Sequence, residues 1–313
     1  MAYNQYDTAR TENIADPATG INTKEWYDKN LLDNAREEFI ISAFTSKKAQ
    51  PKHEGTGVVF SYYEKIPAFI TPLVEGAAQG AGASLDKVNI RATMAAYGEF
   101  VPYTDTLDMH GEDGATFKKD VTNNLGGAAG ETQETLLINA AIASNTAIIF
   151  NTDIATTLKD AETSLRKALG KKFKKMITGS TNYSTTTIRE AYVGFVSVEG
   201  ANILDGMTGW LPVDKYGYSD GILPNEIGSY KGVRYCETTL MPQNTAKERA
   251  IIMAEESLAE VGVRGKRKIE TIIKDLGEAG DDRLNTKGSV GSKFRMAAVT
   301  LRPDWICDVA LEA

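Results

Sequence analysis

Residues 111–150 read GEDGATFKKDVTNNLGGAAGETQETLLINAAIASNTAIIF and form the longest stretch of the chain that follows one pattern. Apolar residues recur in it every three or four positions, which places them on one face of a helix. At ~1.5 Å per residue, a helix over Thr116–Phe150 spans about 50 Å. The apolar positions are Phe117, Val121, Leu125, Ala128, Ala129, Leu136, Leu137, Ala140, Ala143 and Ala147.

Three glycines interrupt this pattern at its centre: Gly126, Gly127 and Gly130. Each costs up to about 1 kcal/mol in a helix relative to alanine. The stretch therefore fits either one long helix with a soft centre or two helices joined there. We predict that Thr116–Phe150 is helical overall, with a bend or break at Gly126–Gly130.

Length and composition limit the classes of protein to which this chain can belong. A chain of 313 residues with 42% hydrophobic residues can form two structural units with a sizeable core. The net charge is 35 − 42 = −7, whereas a dedicated nucleic-acid reader is usually basic. A protein that merely encloses nucleic acid remains compatible. The polar N-terminus predicts no signal peptide, and no apolar run is long enough to span a membrane.

The first fifty residues predict an arm, a helix and a linker. Residues 1–22 are polar, and they fit either a disordered tail or an arm that orders against a neighbouring subunit. Thr23–Phe44 predicts an amphipathic helix with Thr23 as its N-cap. Ser46–His53 predicts a short basic linker.

The pattern of Gly55–Thr106 is strand-like, unlike that of the preceding segment, and it predicts a long hairpin. Two extended arms flank a flexible Gly/Ala tip at Glu75–Ser84. A hairpin this long is not expected to be stable alone in water, so we expect it to lie across something else.

The segment after the long helix mixes helix and strand. Ile154–Ile177 predicts a helix whose basic C-terminal half is either a solvated face or a contact for phosphate. Together with the preceding hairpin and long helix, this gives the α+β class. The predicted strands are Ala191–Val198, a strand over Leu223–Tyr235 that continues through Cys236–Leu240, Ala250–Ala254, a strand through Ile269–Ile273, and two short strands within Gly288–Leu311 that turn at Arg302–Pro303–Asp304.

The chain offers little material for catalysis. Its only histidines, His53 and His110, have no Cys or second His at metal-ligand spacing, and no serine lies in a Gly-x-Ser-x-Gly elbow. Cys236 and Cys307 are far apart in apolar runs, which predicts buried thiols in a reducing compartment.

The glycine-rich and acidic stretches also show no arrangement of residues that is typical of a binding or catalytic site. The loops Gly76–Gly82 and Gly288–Lys293 do not have the spacing of a phosphate-binding loop. Acid pairs arise freely in a chain with 42 acidic residues, and solvated faces explain them. We therefore predict no catalytic, cofactor-binding or metal-binding residues and no enzyme. The acid pairs are Glu255/Glu256, Asp281/Asp282 and Asp105/Asp108.

Three stretches carry a resemblance to a known family. Tyr97-Gly98-Glu99-Phe100 runs into Tyr103-Thr104-Asp105, Asn225–Thr238 reads NEIGSYKGVRYCET, and Gly291-Ser292-Lys293-Phe294 lies near the end. With the order of elements, the chain resembles the major capsid proteins of tailed double-stranded DNA bacteriophages with the Hong Kong 97-type fold. It is most similar to the phage N-four-like branch, and the second stretch is the most specific.

The resemblance implies an α+β capsid architecture in which the arm and the hairpin reach over neighbouring subunits. The long helix would be the spine of a peripheral domain, and an axial domain would pack around five-fold and six-fold centres. The implied division is 1–54 for the N-terminal arm and amphipathic helix, 55–106 for the extended hairpin loop, 107–151 for the spine helix, 152–275 for the axial domain and 276–313 for the return strands of the peripheral domain.

The resemblance also implies a function. Copies of the chain would assemble as pentamers and hexamers into an icosahedral shell, formed in the cytoplasm of the host bacterium and retained in the virion. The shell would enclose double-stranded DNA without sequence-specific binding and without a membrane. Expected partners are a separate scaffold protein, because no charged helical scaffold domain precedes the arm, a portal and, in some relatives, a decoration protein. An encapsulin-like compartment shell and an ordinary α+β enzyme are the alternatives.

Overall fold

The computed structural model describes residues 13–15, 22–24, 40–51, 55–68, 70, 75–76, 83–110, 114–144, 148–150, 153–173, 190–216, 222–243, 247–263, 269–278 and 284–311. The helices are α1 (Ile41–Phe44), α2 (Asp105–His110), α3 (Gly114–Ala143), α4 (Ile154–Lys167) and α5 (Val198–Asp205). The strands are β1 (Asn13–Ala15), β2 (Asn22–Lys24), β3 (Ser46–Gln50), β4 (Gly57–Tyr63), β5 (Lys87–Thr93), β6 (Ala95–Thr104), β7 (Ile148–Ile149), β8 (Tyr192–Val196), β9 (Leu211–Pro212), β10 (Glu226–Tyr230), β11 (Val233–Glu237), β12 (Glu248–Met253), β13 (Leu258–Val263), β14 (Glu270–Lys274), β15 (Lys287–Thr300) and β16 (Ile306–Leu311).

A seven-stranded sheet organises the second half of the chain, in the order β7-β16-β12-β8-β11-β10-β9. Its central strands are buried on both faces, and successive side chains along each strand point to opposite faces. Val193 and Phe195 of β8 pack toward the C-terminal half of α3, and Tyr192 and Val196 pack toward α4 and α5. The core of the molecule therefore lies on both sides of this sheet.

A five-stranded sheet lies beside α3, with the long strand β15 at its centre. Strand β6 pairs along one edge of β15, while β14 and β13 pair end to end along the other, and β3 lies beside β13. Val290 and Phe294 of β15 pack into the same apolar clusters as Leu125 and Leu137 of α3. One face of the sheet is thus covered by the helix.

Helix α3 confirms the predicted long helix but ends earlier than expected. It runs without interruption through the three glycines, so a break at Gly126–Gly130 is wrong and the bend stays a prediction. The helix does not reach Phe150, because Ile148–Ile149 forms β7 and pairs in parallel with β16. The β-branched Ile-Ile pair is a better strand former than helix former, and the sheet edge supplies its partner.

The N-terminal predictions need two corrections. Thr23 is not a helix N-cap, because Asn22–Lys24 is a strand paired with Asn13–Ala15. Only Ile41–Phe44 of the predicted helix Thr23–Phe44 is helical among the described residues, and 25–39 lie outside them. The linker Ser46–His53 is instead strand β3 from Ser46 to Gln50, because β13 offers it a parallel edge.

The segment after α3 differs from the prediction in four places. Helix α4 ends at Lys167 and not at Ile177, because Leu169 adopts a left-handed φ of 57° and turns the chain. Helix α5 was not predicted, although Ser197 caps it by accepting a hydrogen bond from Gly200 N–H at 3.1 Å. Strand β15 has 14 residues and is not short. The strand predicted over Leu223–Leu240 is instead the hairpin β10–β11, because Lys231 and Gly232 turn the chain, and β11 ends at Glu237.

The sheets cross two of the sequence-based divisions. Strand β6 belongs to the 55–106 segment, yet it pairs with β15 and leaves the hairpin after Met94. The segment 276–313 splits, because β15 lies in the five-stranded sheet and β16 pairs with β12 in the seven-stranded sheet. The α+β class is confirmed, and the assignment of arm, loop, peripheral and axial domains stays a prediction.

Candidate assembly surfaces

The hairpin β4–β5 projects apolar side chains into solvent. It forms a separate two-stranded sheet that pairs Gly57 with Thr93 and Tyr63 with Lys87. Val59 and Tyr63 keep more than half of their surface exposed, and Ile70, beyond the paired strands, is 89% exposed. A two-stranded ribbon with so little cover has too small a core of its own to be stable alone.

The base of the hairpin is fixed to the body by one small cluster and one stacked arginine. Ala92 is buried against Val261 and Ala297 of the five-stranded sheet. The guanidinium of Arg302 lies 4.4 Å from the ring centre of Tyr62 and 4.5 Å from that of Trp305. These contacts set the direction of the hairpin while leaving its distal part uncovered among the described residues.

The face of the five-stranded sheet opposite α3, here called the outer sheet face, carries an apolar row. The register aligns Phe100 of β6, Gly291 of β15 and Ile272 of β14. Phe100 is 62% exposed and Ile272 40%. A side chain at position 291 would place its Cβ 3.1 Å from Phe100 Cβ, so glycine leaves a groove there of about 450 Å³.

Positive charge surrounds that groove although the chain is acidic overall. Lys274 and Lys293 line the groove together with one acidic residue, Glu99. The register adds Lys287 and Arg295 to the outer sheet face, with Glu270 opposite Lys293, so cations outnumber acidic groups there. The outer sheet face is therefore apolar at its centre and cationic around it. A segment that combines apolar and acidic side chains would complement it.

A buried carboxylate of α3 contacts the start of α1. Glu134 is 1% exposed, and its Oε1 accepts hydrogen bonds from the backbone N–H groups of Ile40, at 2.8 Å, and Ile41. The backbone N–H of Ser42 donates to Glu134 Oε2 at 3.3 Å, and the Ser42 hydroxyl donates to Glu260 Oε2 of β13 at 3.0 Å. Glu134 thus caps the start of α1, whose own residue Ile40 supplies no side-chain cap.

The NEIGSYKGVRYCET stretch forms the hairpin β10–β11, and its distinctive residues have structural roles. Lys231 and Gly232 both adopt positive φ, as a tight two-residue hairpin turn requires. Gly228 lies under Trp210, where a Cβ would come within 2.5 Å of the indole. Glu226 and Arg234 form an almost fully buried ion pair, in which Arg234 Nε donates to Glu226 Oε1 at 2.7 Å.

Further hydrogen bonds complete the surroundings of Glu226. Tyr216 donates its hydroxyl, and Leu223 its backbone N–H, each at 2.8 Å. Burial raises the pKa of the Tyr216 hydroxyl. A buried charge this well satisfied fixes the hairpin in one geometry.

The residues considered for catalysis do not converge in the described part of the chain. No three His, Cys, Asp or Glu side chains there lie close enough together to hold a metal ion. His53, Asp281 and Asp282 lie outside the described residues, and Glu256 pairs with Lys171 at 2.6 Å. Gly288–Lys293 lies within strand β15, so it forms no phosphate loop.

The two cysteines are buried and unpaired, as predicted. Burial raises the pKa of the Cys307 thiol to about 11 and raises that of Cys236 as well, which makes both poor nucleophiles. Among the described residues, no helix combines the length and the apolar character needed to cross a membrane.

Solved structures of phage capsids superimpose on nearly the whole chain. The mature capsid of bacteriophage PhiM1 superimposes with a TM-score of 0.62 at 13% sequence identity, over 99% of this chain and 99% of that chain. The acid-stable capsid of Helicobacter pylori bacteriophage KHP30 gives 0.65 at 10% identity over 97% and 100%. The capsid of cyanophage Pam1 gives 0.59 at 14% over 96% and 99%.

These matches cover nearly the full length on both sides, so the chain has the fold of phage capsid proteins. No protein-family model matches the sequence, and no curated protein matches it. The likeness therefore resides in the three-dimensional arrangement and supports the predicted Hong Kong 97-type fold.

Proposed function

We propose that this chain is the major capsid protein of a tailed double-stranded DNA bacteriophage, and that its copies assemble into the icosahedral shell around the genome. The observation that carries the proposal is the end-to-end structural likeness to phage capsid subunits. The solved structures named above come from phages, which does not favour an encapsulin-like compartment.

The uncovered surfaces support this proposal on physical grounds. The hairpin and the outer sheet face expose large apolar side chains that a monomer leaves in water. In a shell each copy covers the surfaces of its neighbours, and many weak contacts add up.

The two surfaces are also complementary in charge. The distal hairpin, residues 64–86, contains three acidic residues and one lysine among apolar residues, while the outer sheet face is mainly cationic. We place the hairpin of one copy across the outer sheet face of the next.

The remaining partners follow from the same proposal. Copies would form pentamers and hexamers, with a separate scaffold protein, a portal and in some cases a decoration protein. Assembly would occur in the host cytoplasm, and the mature protein would reside in the virion. The acidic chain would enclose the DNA without sequence-specific binding.

Negative-stain microscopy of the purified chain, with and without the scaffold protein of its phage, tests the proposal. We expect shells, sheets or capsomers for the wild type. A variant with residues 65–85 replaced by Asn-Gly should fold and remain monomeric, because Glu64 N–H already donates to Asp86 O at 3.0 Å and a two-residue turn can close there. Small monodisperse wild-type particles, even with scaffold present, would contradict the proposal.

A further inference from the structure

Strand β14 is an edge of the five-stranded sheet and is exposed along its whole length. It is the terminal strand in the order of the sheet, and all five of its residues, Glu270 to Lys274, are exposed. Ile272 and Ile273 keep 40% and 48% of their surface in water. An edge strand presents unpaired backbone N–H and C=O groups, which are a template for another strand.

The opposite edge of the same sheet is protected in a way that β14 is not. Strand β6 contains Pro102, which has no N–H to donate and is typical of an edge that avoids pairing. Strand β14 contains neither proline nor a register irregularity in its pairing with β15. The residue that follows β14 contacts the body, because Asp275 Oδ1 accepts a hydrogen bond from Lys118 of α3 at 2.7 Å.

We propose that β14 pairs in antiparallel orientation with β14 of a second copy of this chain, so that two five-stranded sheets join into one. The sequence of the strand, Glu-Thr-Ile-Ile-Lys, is self-complementary about its centre. In the centred register, Glu270 lies opposite Lys274 of the second copy, and Ile272 lies opposite Ile272. Both charge pairs form at once, because the contact is two-fold symmetric.

The charges select this arrangement over the others. Parallel pairing in register would place Glu270 against Glu270 and Lys274 against Lys274, which is repulsive. An antiparallel slip of two residues would separate the charge pairs, and a slip of one residue would turn the apolar side chains to the other face. The inference rests on the proposed function, since it assigns one contact between copies in the shell.

Charge exchange tests the contact. Glu270→Lys gives two Lys–Lys pairs and Lys274→Glu two Glu–Glu pairs, so each variant alone should associate about tenfold more weakly than the wild type. A mixture of the two single variants restores both opposite-charge pairs, as does the double variant within one chain. Both should recover wild-type assembly, measured by sedimentation, after circular dichroism has shown that each variant is folded.

A cysteine pair tests the geometry independently of charge. In antiparallel strands, opposite Cα atoms lie about 4.5–5.5 Å apart, which is within the reach of a disulfide. Ile272→Cys should therefore form covalent dimers on mild oxidation, because the two native cysteines are buried. Ile273→Cys is the matched control, since two residues 273 would lie about 8 Å apart and should not cross-link.

The outcomes separate this inference from the proposed function. Two results would overturn the β14 contact and leave the capsid proposal standing. One is that the Ile272→Cys variant forms shells but does not cross-link, and the other is that the single charge variants assemble like the wild type. Cross-linked dimers without shells, capsomers or sheets would support the contact and overturn the function. Neither cross-links nor assembled particles would overturn both.

Discussion

Glu134 shows how a single carboxylate connects distant parts of this chain. It accepts hydrogen bonds from backbone groups 94 and 93 residues earlier in sequence, at the start of α1. In the sequence it lies among Thr132, Gln133 and Thr135, and this polar surrounding does not indicate a buried side chain. Its role depends on a long-range contact that no local pattern encodes.

We expect Glu134→Gln to lower the free energy of unfolding by about 2 kcal/mol, because the amide leaves buried N–H donors without a full set of acceptors. Chemical denaturation measures the loss, and amide exchange at Ile40–Ser42 should accelerate. Glu131→Gln, on the exposed face of the same helix, is the control and should change little. Equal stability of the two variants would contradict this role of Glu134.

The pH dependence of Glu134 has a defined sign. Burial raises the pKa of its carboxyl above the ordinary value of 4.5, against the opposing effect of the backbone donors. The folded state therefore holds the proton more tightly than the unfolded state, and stability increases as the pH falls through the folded-state pKa. Glu134→Gln lacks this titration, so unfolding curves across acidic pH should show the wild type gaining on the variant. A constant difference would contradict it.

At the scale of elements, the sequence predicts best where the pattern is long and local. The periodicity of 111–150 identified α3, and the alternation on either side of a Gly/Ala tip identified the hairpin. Strand β13, Leu-Ala-Glu-Val-Gly-Val, was missed because Glu260 and Gly262 interrupt its apolar run, and residues with low strand propensity weaken the pattern. Strand β3, Ser-Lys-Lys-Ala-Gln, is polar and becomes a strand only because β13 lies beside it.

The candidate surfaces were predictable only in part. The sequence indicated that the hairpin needs a neighbour, but not the groove on the outer sheet face. That groove depends on the register that brings Phe100, Gly291 and Ile272 into one row from three separate segments. Residues so far apart along the chain cannot be aligned from local periodicity.

The glycines of α3 give a prediction about the whole element. Gly126 lies in the helix interior, and a Cβ added there would meet no atom within 4 Å. We expect Gly126→Ala to stabilise the subunit by roughly 0.5–1 kcal/mol. It should also reduce assembly if the proposed function holds, because it stiffens a helix that would have to fit unequal positions in the proposed shell. Thermal unfolding and electron microscopy measure the two effects.

The reverse substitution supplies the control for α3. Ala128→Gly, on the exposed side of the same turn, should lower subunit stability by a similar amount without reducing assembly. If Gly126→Ala assembles as well as the wild type, the bend has no role in assembly. The glycines would then be present only because the helix is stable enough to tolerate them.

At the scale of the whole molecule, the charge distribution bears on which contacts the proposed shell subunit would make, those between copies or those with the genome. The chain carries a net charge of −7, yet the cations of the outer sheet face are concentrated around one apolar groove. Local complementarity of this kind favours specific association between copies, while the overall charge opposes association with DNA phosphates.

We therefore expect the unassembled subunit to bind double-stranded DNA only weakly, with a dissociation constant above about 10⁻⁵ M at physiological salt. Fluorescence anisotropy with a short labelled duplex measures it, and the little binding that occurs should decline as salt is raised. Lys293→Glu, which removes a cation of the outer sheet face, should weaken assembly more than it weakens DNA binding. Tight, stoichiometric DNA binding that resists salt would contradict the prediction, because a shell that holds its genome firmly would hinder both packing and release.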